Sequence, residues 1–335
     1  GLKHTKTAQA RLARELLADA VPAPDILALL SEINSDLHRR VIDISLQACG
    51  GRDDAPVPFE VVVMGSGGRK ESLLYPDQDN GFILAEYPDS EHARIDAWFI
   101  GLAERMVDGL QEVGFPRCNG NVMAINPLWR KRLSEWKEQV SLWLGKSEGL
   151  VLRLCDIFFD FRSVFGTGAM SNELREHVTG LAPQRHFLRE LYKVDEEHGP
   201  ALGLFGRLQT DPLEGPGKGK VNLKLTGTLP IVCGVRILSL RSRLSEVSTL
   251  GRIGALHRAG VLDDDEADYL GGAFRHITRL LLAQQLSDFE AGLPVGSHVA
   301  PESMTRRDKD MLVDAFRAVR RLRSRISSEL GADVF

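Results

Sequence analysis

Cysteine is scarce in this 335-residue chain, and it is not organised. Cys49, Cys118, Cys155 and Cys233 are widely spaced with no Cys-x-x-Cys pair, which gives no sign of a zinc site or a disulfide framework. A reducing cytoplasm is the simpler setting for such a chain. No apolar run approaches the roughly 18 residues that cross a bilayer, and the N-terminal residues form no apolar signal segment, so no membrane partner is expected. None of the nine histidines shows metal-ligand spacing, so no histidine metal centre is signalled. Nor is there a strong excess of one charge. A net charge of -4 argues against sequence-independent binding of nucleic acid, although a local basic site could still hold a nucleotide. Internal repeats and low-complexity tracts are missing too. The chain opens on Gly1 rather than methionine, which reads as a tag remnant or a piece of a longer protein.

What is present is an ordinary globular balance, 43% hydrophobic and 26% charged, over a length that suits two domains. Ile26, Leu30, Ile33, Leu37, Val41 and Ile44 step by three and four, the pattern of an amphipathic helix. Phe59 to Met64 is a short apolar run ending in glycine and reads as a buried strand, with a second strand from Gly81 to Tyr87. Ser90 can cap a helix whose apolar face is Ile95, Phe99, Leu102, Met106, Leu110 and Val113, stopped by Gly114. Arg117–Ile125 reads as a strand, Asn126-Pro127 as a helix start continued by Trp136, Val140 and Trp143, and Leu150–Arg162 as a long strand. Beyond Asn172 the pattern is helical, with segments at Ile231–Leu250, Asp264–Leu286 and Glu302–Leu330 and one loop from Asp211 to Gly219. The expected organisation is a helical segment over 1–54, an α/β (α+β) domain with a mixed central sheet over 55–170, and a C-terminal all-α bundle over 171–335. The arginine-rich face Arg317–Arg325 reads as a solvated helix face, with a partner surface as the alternative.

The chemistry concentrates in Gly65-Ser66-Gly67-Gly68-Arg69-Lys70-Glu71 and the following Asp77-Gln78-Asp79-Asn80. Glycines after a strand leave amides exposed to anionic oxygens, and Ser66 adds a hydroxyl. Arg69 can bond a phosphate or a carboxylate. If Asp77 leads into the second strand, a spacing of two puts both carboxylates on one face, where a cation must relieve their repulsion. Mg²⁺ suits such a pair, because it takes one or two carboxylates together with substrate phosphates. A dinucleotide fingerprint is disfavoured, because Lys70 stands where its third glycine would be, and no Gly-Lys-Ser/Thr ending completes a Walker loop. A solvated glycine turn beside a charged surface strand is the bland alternative.

Gly-Ser-x-x-Arg followed by Asp-x-Asp resembles the motif of the DNA polymerase β type nucleotidyltransferases. The fuller string resembles a narrower group, often found downstream of cyclic-nucleotide-binding and CBS domains and related to the PII-protein uridylyltransferase. Asn121–Trp129, Phe158-Phe159-Asp160-Phe161-Arg162, Leu223-Lys224 and Pro230-Ile231-Val232 are similar to the same group, so the resemblance covers most of residues 25 to 330. Gly67 departs from the family's usual glutamate, and Asn222 stands where the family tends to have aspartate.

The resemblance implies Mg²⁺-dependent transfer of a nucleoside monophosphate from a nucleoside triphosphate to a hydroxyl, with two Mg²⁺ ions expected and Mn²⁺ as an alternative. It implies that Asp77, Asp79 and Asp160 hold metal, with Asp160 supplied by the Leu150–Arg162 strand, where Asp156, Asp160 and Arg162 share a face. An ion pair of Asp160 with Arg162 or Arg69 is the other reading. Gly65, Ser66, Gly67, Gly68 and Arg69 would hold the nucleotide, with Lys224 available for a phosphate; Arg236 and Gln285 are read as core or surface residues. The implied acceptor is a protein hydroxyl, by analogy with the PII enzyme, and CBS or cyclic-nucleotide-binding domains are implied upstream. The rival readings are a nucleotide-sensing module without turnover and a small-molecule adenylyltransferase.

Overall fold

The computed structural model describes every residue except 146–148, 182, 184, 197, 204–205, 213–216 and 332–335. The expected Asp211–Gly219 loop therefore lies partly outside the described residues. The chain is mostly helical with one small mixed sheet, and it divides into two compact units. The first comprises Gly1–Arg11, Leu27–Lys146 and Leu154–Leu181; the second comprises Leu12–Ile26, Ser147–Arg153 and Ala182–Phe335. No helix among the described residues is long and apolar enough to cross a membrane.

In the first unit, strands β1 (Phe59–Val63), β2 (Asn80–Leu84), β3 (Arg130–Arg132) and β4 (Arg162–Phe165) form a sheet in the order β3-β2-β1-β4. β1 runs antiparallel to β2 and to β4, while β2 and β3 are parallel. Helix α1 (Leu2–Ala18) precedes α2 (Ala23–Ala48), which buries Ile26, Leu30, Leu37 and Val41 as their spacing predicts, whereas Ile44 is exposed. A five-residue helical turn, α3 (Gly65–Arg69), follows β1, and α4 (His92–Val113) buries all six of the apolar residues its periodicity marks. Gly114 ends α4 in the left-handed region, at φ 119°, as a glycine stop should.

Two expected strands are not strands. Leu150–Arg162 is instead helix α6 (Gly149–Phe158), a turn, and only then β4. The buried residues Leu152, Cys155, Phe158 and Phe159 step by three and four, so the run packs as a helix; a short apolar segment does not reveal its period to inspection. Arg117–Ile125 is an irregular segment pinned beside Gln78–Asn80, by Gln78 N–H to the Pro116 carbonyl at 2.9 Å and Asn80 N–H to the Val122 carbonyl at 3.0 Å. Asn126 does cap a turn, its Oδ1 accepting from Leu128 N–H at 3.0 Å, but Pro127–Trp129 makes one turn and β3 intervenes. Helix α5 (Leu133–Gly145) then buries Trp136 and Trp143 against Trp129 and Phe158, and the Trp136 indole donates to the Phe82 carbonyl at 2.9 Å. Helix α7 (Ala169–Gly180) completes this unit.

The second unit is a helical bundle of α8 (Arg185–Glu196), α9 (Leu229–Arg241), α10 (Thr249–Arg258), α11 (Asp264–Glu290) and α12 (Arg306–Gly331), with a short antiparallel pair, β5 (Val221–Asn222) and β6 (His298–Val299). The expected Ile231–Leu250 helix breaks after Arg241 and restarts at Thr249, where the Ser248 hydroxyl caps the Gly251 amide. The arginine face of α12 is divided: Arg317, Arg320 and Arg321 are exposed, and Arg323 and Arg325 are half-buried. Arg320 donates to the Leu202 carbonyl, Arg323 pairs with Asp195, and Arg325 pairs with Glu266 and Glu329.

The sheet end that carries the glycine turn is locked by close packing. A Cβ on Gly68 would sit 1.5 Å from the Asp160 carbonyl oxygen, so only glycine lets α3 rest on the chain entering β4. Gly68→Ala is therefore expected to cost about 3 kcal/mol of stability, as overpacking does, read as a lower urea midpoint; an unchanged midpoint would contradict the contact. His38 of α2 stacks edge-on to Phe115 with ring centroids 4.7 Å apart, and burial pulls its pKa down to about 4, partly opposed by the Asn34 carbonyl. A depressed histidine contributes stability above its unfolded value and loses it as pH falls toward the folded one. The unfolding free energy should hold above pH 6.5 and fall toward pH 4 by on the order of 3 kcal/mol, and His38→Gln should flatten that slope.

Candidate active site

Three chain segments meet at one end of the sheet. Register pairs Val63 with both Asn80 and Arg162, so the exit of β1 lies between the starts of β2 and β4. Asp77-Gln78-Asp79 therefore arrives beside Met64-Gly65, and the Met64 amide donates to the Asp79 carbonyl at 2.9 Å.

Alternation decides which side chains face the opening. Gln78 and Asn80 are buried. The Gln78 amide donates to the Val107 and Phe115 carbonyls at 3.0 and 2.9 Å, and Asn80 Oδ1 accepts from the Ala124 amide at 3.0 Å. With the even positions anchored inward, the odd positions Asp77 and Asp79 share the opposite side, as the period of an extended chain requires. Asp77 is exposed and Asp79 half-buried. Their carboxylate oxygens lie with the Cys118 sulfur in one group, all within 4.8 Å of one another. Burial, reinforced by the Asp79 carboxylate, pushes the Cys118 thiol up to about 12. Gly65 makes room for this group: it holds φ at 58°, and a Cβ there would stand 3.0 Å from Asp79 Oδ2. Two carboxylate oxygen donors and a cradle that a Cβ would crowd are together a fit for a hard divalent cation, with the Cys118 thiol, kept neutral by its raised pKa, as a neighbour rather than a ligand.

The glycine segment is a helical turn rather than an open loop. The Gly68 amide bonds back to the Met64 carbonyl at 3.2 Å, and Lys70 closes the turn in the left-handed region at φ 60°. Amides at the start of such a turn have no carbonyl behind them within the helix, and Gly65, Ser66 and Gly67 hold those positions. Ser66 and Gly67 are half-buried beside the acidic pair.

Arg69 and Asp160 meet each other, not the acidic pair. The Arg69 guanidinium pairs with the fully buried Asp160 carboxylate and with Glu71 at 2.7 Å. Burial would lower the Arg69 pKa, but Asp160 and Glu71 outweigh it and raise it instead. The face that Asp156, Asp160 and Arg162 were expected to share does not exist, because α6 ends before Asp160 and β4 begins after it. Among the described residues Asp160 is not part of the group formed by Asp77, Asp79 and Cys118. Lys224 opens a wide helical turn in the second unit and is exposed; Arg236 and Gln285, also in that unit, are buried.

A small cavity of about 30 Å³ lies beside the turn. Asp77, Asp79, Gly67, Arg162 and the α2 residues Asn34 and His38 are among its walls. The α2 residues carry no motif, so nothing in the sequence marks them. Cys118 was equally hidden, because a lone cysteine joins the acidic pair only through main-chain bonds made around it.

Residues 7–149 match a family model described as "Putative nucleotidyltransferase DUF294", and residues 185–330 match one described as "Putative nucleotidyltransferase substrate binding domain". No curated protein matches the chain. The two matches, one on the part that carries the acidic pair and one on the helical part, support the nucleotidyltransferase family for this chain.

Proposed function

We propose that the corner formed by Gly65–Gly68, Asp77 and Asp79 transfers a nucleoside monophosphate from a nucleoside triphosphate to a hydroxyl group, in the manner of the PII-protein uridylyltransferase, with a protein as acceptor. The observation that carries this reading is the convergence of the Asp77 and Asp79 carboxylates within 4.8 Å, directly beside the glycine turn. In the reaction the acceptor oxygen bonds to the α-phosphorus, the bond from that phosphorus to the bridging oxygen breaks, and pyrophosphate departs as the acceptor gives up its proton.

Each residue has a distinct task. Asp77 and Asp79 hold Mg²⁺ or Mn²⁺, which when bound supplies charge to polarise the α-phosphate and to neutralise the leaving group. The amides of Gly65, Ser66 and Gly67 and the Ser66 hydroxyl face the phosphates and fix their position. Asp160 acts through Arg69: the ion pair holds α3 against the start of β4, and so keeps the amides aimed. Gln78 and Asn80 keep the two carboxylates on one side of the chain. The acceptor is argued from family analogy, with the helical unit, whose model is described as substrate binding, as the part that would hold it.

The test uses purified protein with Mg²⁺ or Mn²⁺, each α-labelled triphosphate in turn, and a cell extract. Label should enter an acceptor with release of pyrophosphate, and Asp77→Asn or Asp79→Asn should abolish both while leaving the thermal midpoint near that of the parent. Mass analysis of the labelled product separates a protein from a small molecule. Nucleotide binding without pyrophosphate from any extract would establish the sensing module instead. Asp160→Asn has a different expected outcome, a loss of about 3 kcal/mol in stability because it strips a buried cation of its partner. Loss of divalent-ion binding in that variant with stability intact would instead make Asp160 a metal ligand.

A further inference from the structure

Main chain flanks the acidic pair on both sides. The Asp79 carbonyl points to the glycine turn, accepting from the Met64 amide at its head at 2.9 Å. The main-chain amides of Gln78 and Asn80 point the other way, to the Pro116 and Val122 carbonyls at 2.9 and 3.0 Å. The glycine turn and the 116–122 segment therefore stand on opposite sides of the pair, two strand spacings or about 10 Å apart.

Within that segment the chain makes a tight turn. The Asn121 amide bonds back to the Cys118 carbonyl at 3.0 Å, which leaves Asn119 and Gly120 at the tip. The Cys118 sulfur, gathered with the Asp77 and Asp79 carboxylates, also lies against this tip: a Cβ on Gly120 would stand 3.5 Å from it. The turn is firmly held. Cys118, Val122, Met123 and Ala124 are buried, and the Ala124 amide donates to Asn80 Oδ1 at 3.0 Å. Asn121 sits in the left-handed region at φ 55°, which asparagine tolerates better than most residues, and its carbonyl accepts from Asn126 Nδ2 at 3.2 Å. Asn119, Gly120 and Asn121 themselves are exposed. A rigid tip with two exposed carboxamides thus stands beside the acidic pair, across from the glycine turn.

The chemistry of those carboxamides differs from that of the rest of the corner. Each presents a donor and an acceptor side by side. A nucleobase edge presents the complementary groups, and asparagine pairs with adenine in this way in duplexes. A phosphate offers acceptors alone and would use only half of each carboxamide. A triphosphate with its outer phosphates on the Gly65–Gly67 amides and its α-phosphate at the cation carries its nucleoside away from the glycine turn. Across the acidic pair, that direction leads to the Cys118–Asn121 turn.

We infer that Asn119 and Asn121 form the base-reading element of this site, hydrogen-bonding the edge of the incoming nucleobase. The inference rests on the reading of the corner as a nucleotidyl-transfer centre, and it adds the residues that select which triphosphate is used.

The test is calorimetric titration of the full chain with Mn²⁺. The ligands are the four ribonucleoside triphosphates, the 2′-deoxy form of the tightest, and inorganic tripolyphosphate, which carries phosphates without a nucleoside. One base should bind about tenfold or more tightly than the weakest. Asn119→Ala, and Asn121→Gly, which the left-handed backbone accepts without strain, should each weaken that triphosphate by about fivefold to tenfold, as losing one or two hydrogen bonds does. Both variants should hold tripolyphosphate within about twofold of the parent. Four triphosphates bound alike by the parent, or a parental preference kept in both variants, would overturn the base-reading role and leave the transfer reading standing. So would a loss that extends equally to tripolyphosphate, which marks a structural prop. An effect of the variants that disappears with the 2′-deoxy ligand marks a ribose contact and would also overturn it. A parent chain that binds neither tripolyphosphate nor any triphosphate would overturn both readings.

Discussion

A buried charge pair organises the first unit. Arg69, at the end of the glycine turn, and Asp160, just before β4, lie far apart in sequence and meet with almost no solvent between them. Neither charge could be left alone there, since an uncompensated buried ion costs several kcal/mol. Their pairing, with Gly68 seated on the Asp160 carbonyl, fixes the exit of β1 against the start of β4. Once those two ends are fixed, the β1 register places Asn80 across from Val63, and the acidic pair has one place to go.

From that constraint the site follows in short steps. Gln78 and Asn80 tie the extended chain inward to main-chain carbonyls and amides, which turns Asp77 and Asp79 outward. The bonds from Gln78 and Asn80 to Pro116 and Val122 draw the irregular segment alongside, and Cys118 comes with it. The result combines a turn with free amides, a carboxylate pair and a small cavity that both help to wall. Each is a modest feature. Their value lies in being fixed by the same few interactions.

The sequence made some of this legible and hid the rest for identifiable reasons. β1, β2 and α4 announce themselves, because glycines punctuate them and α4 buries every residue its period marks. Asp77 and Asp79 could be placed on one face from their spacing alone. The Leu150–Arg162 run misled, since a short apolar stretch satisfies a strand and a helix equally until its neighbours are known, and the face that would have carried Asp160 disappears with it. Arg69 could bond a phosphate or a carboxylate, and only packing reveals that two carboxylates already hold it. Cys118 and Asn34 belong to no readable pattern, whereas Arg162 closes the family-like Phe158–Arg162 stretch. Cys118 joins the acidic pair from an irregular segment, and Asn34 and Arg162 line the cavity from a long helix and a short strand, through contacts that one-dimensional periodicity does not encode.

The central claim is that Asp77 and Asp79, beside the glycine turn, form the cation and phosphate centre of a nucleotidyltransferase. A crystal structure of the protein with Mn²⁺ and a non-hydrolysable nucleoside triphosphate tests it most directly, because Mn²⁺ is located by its anomalous scattering. The account predicts an anomalous peak between the Asp77 and Asp79 carboxylates, with the triphosphate lying against Gly65–Gly68 and the Arg69–Asp160 pair intact. A peak on Asp160 with Arg69 displaced, or a nucleotide bound away from the glycine turn, would contradict it.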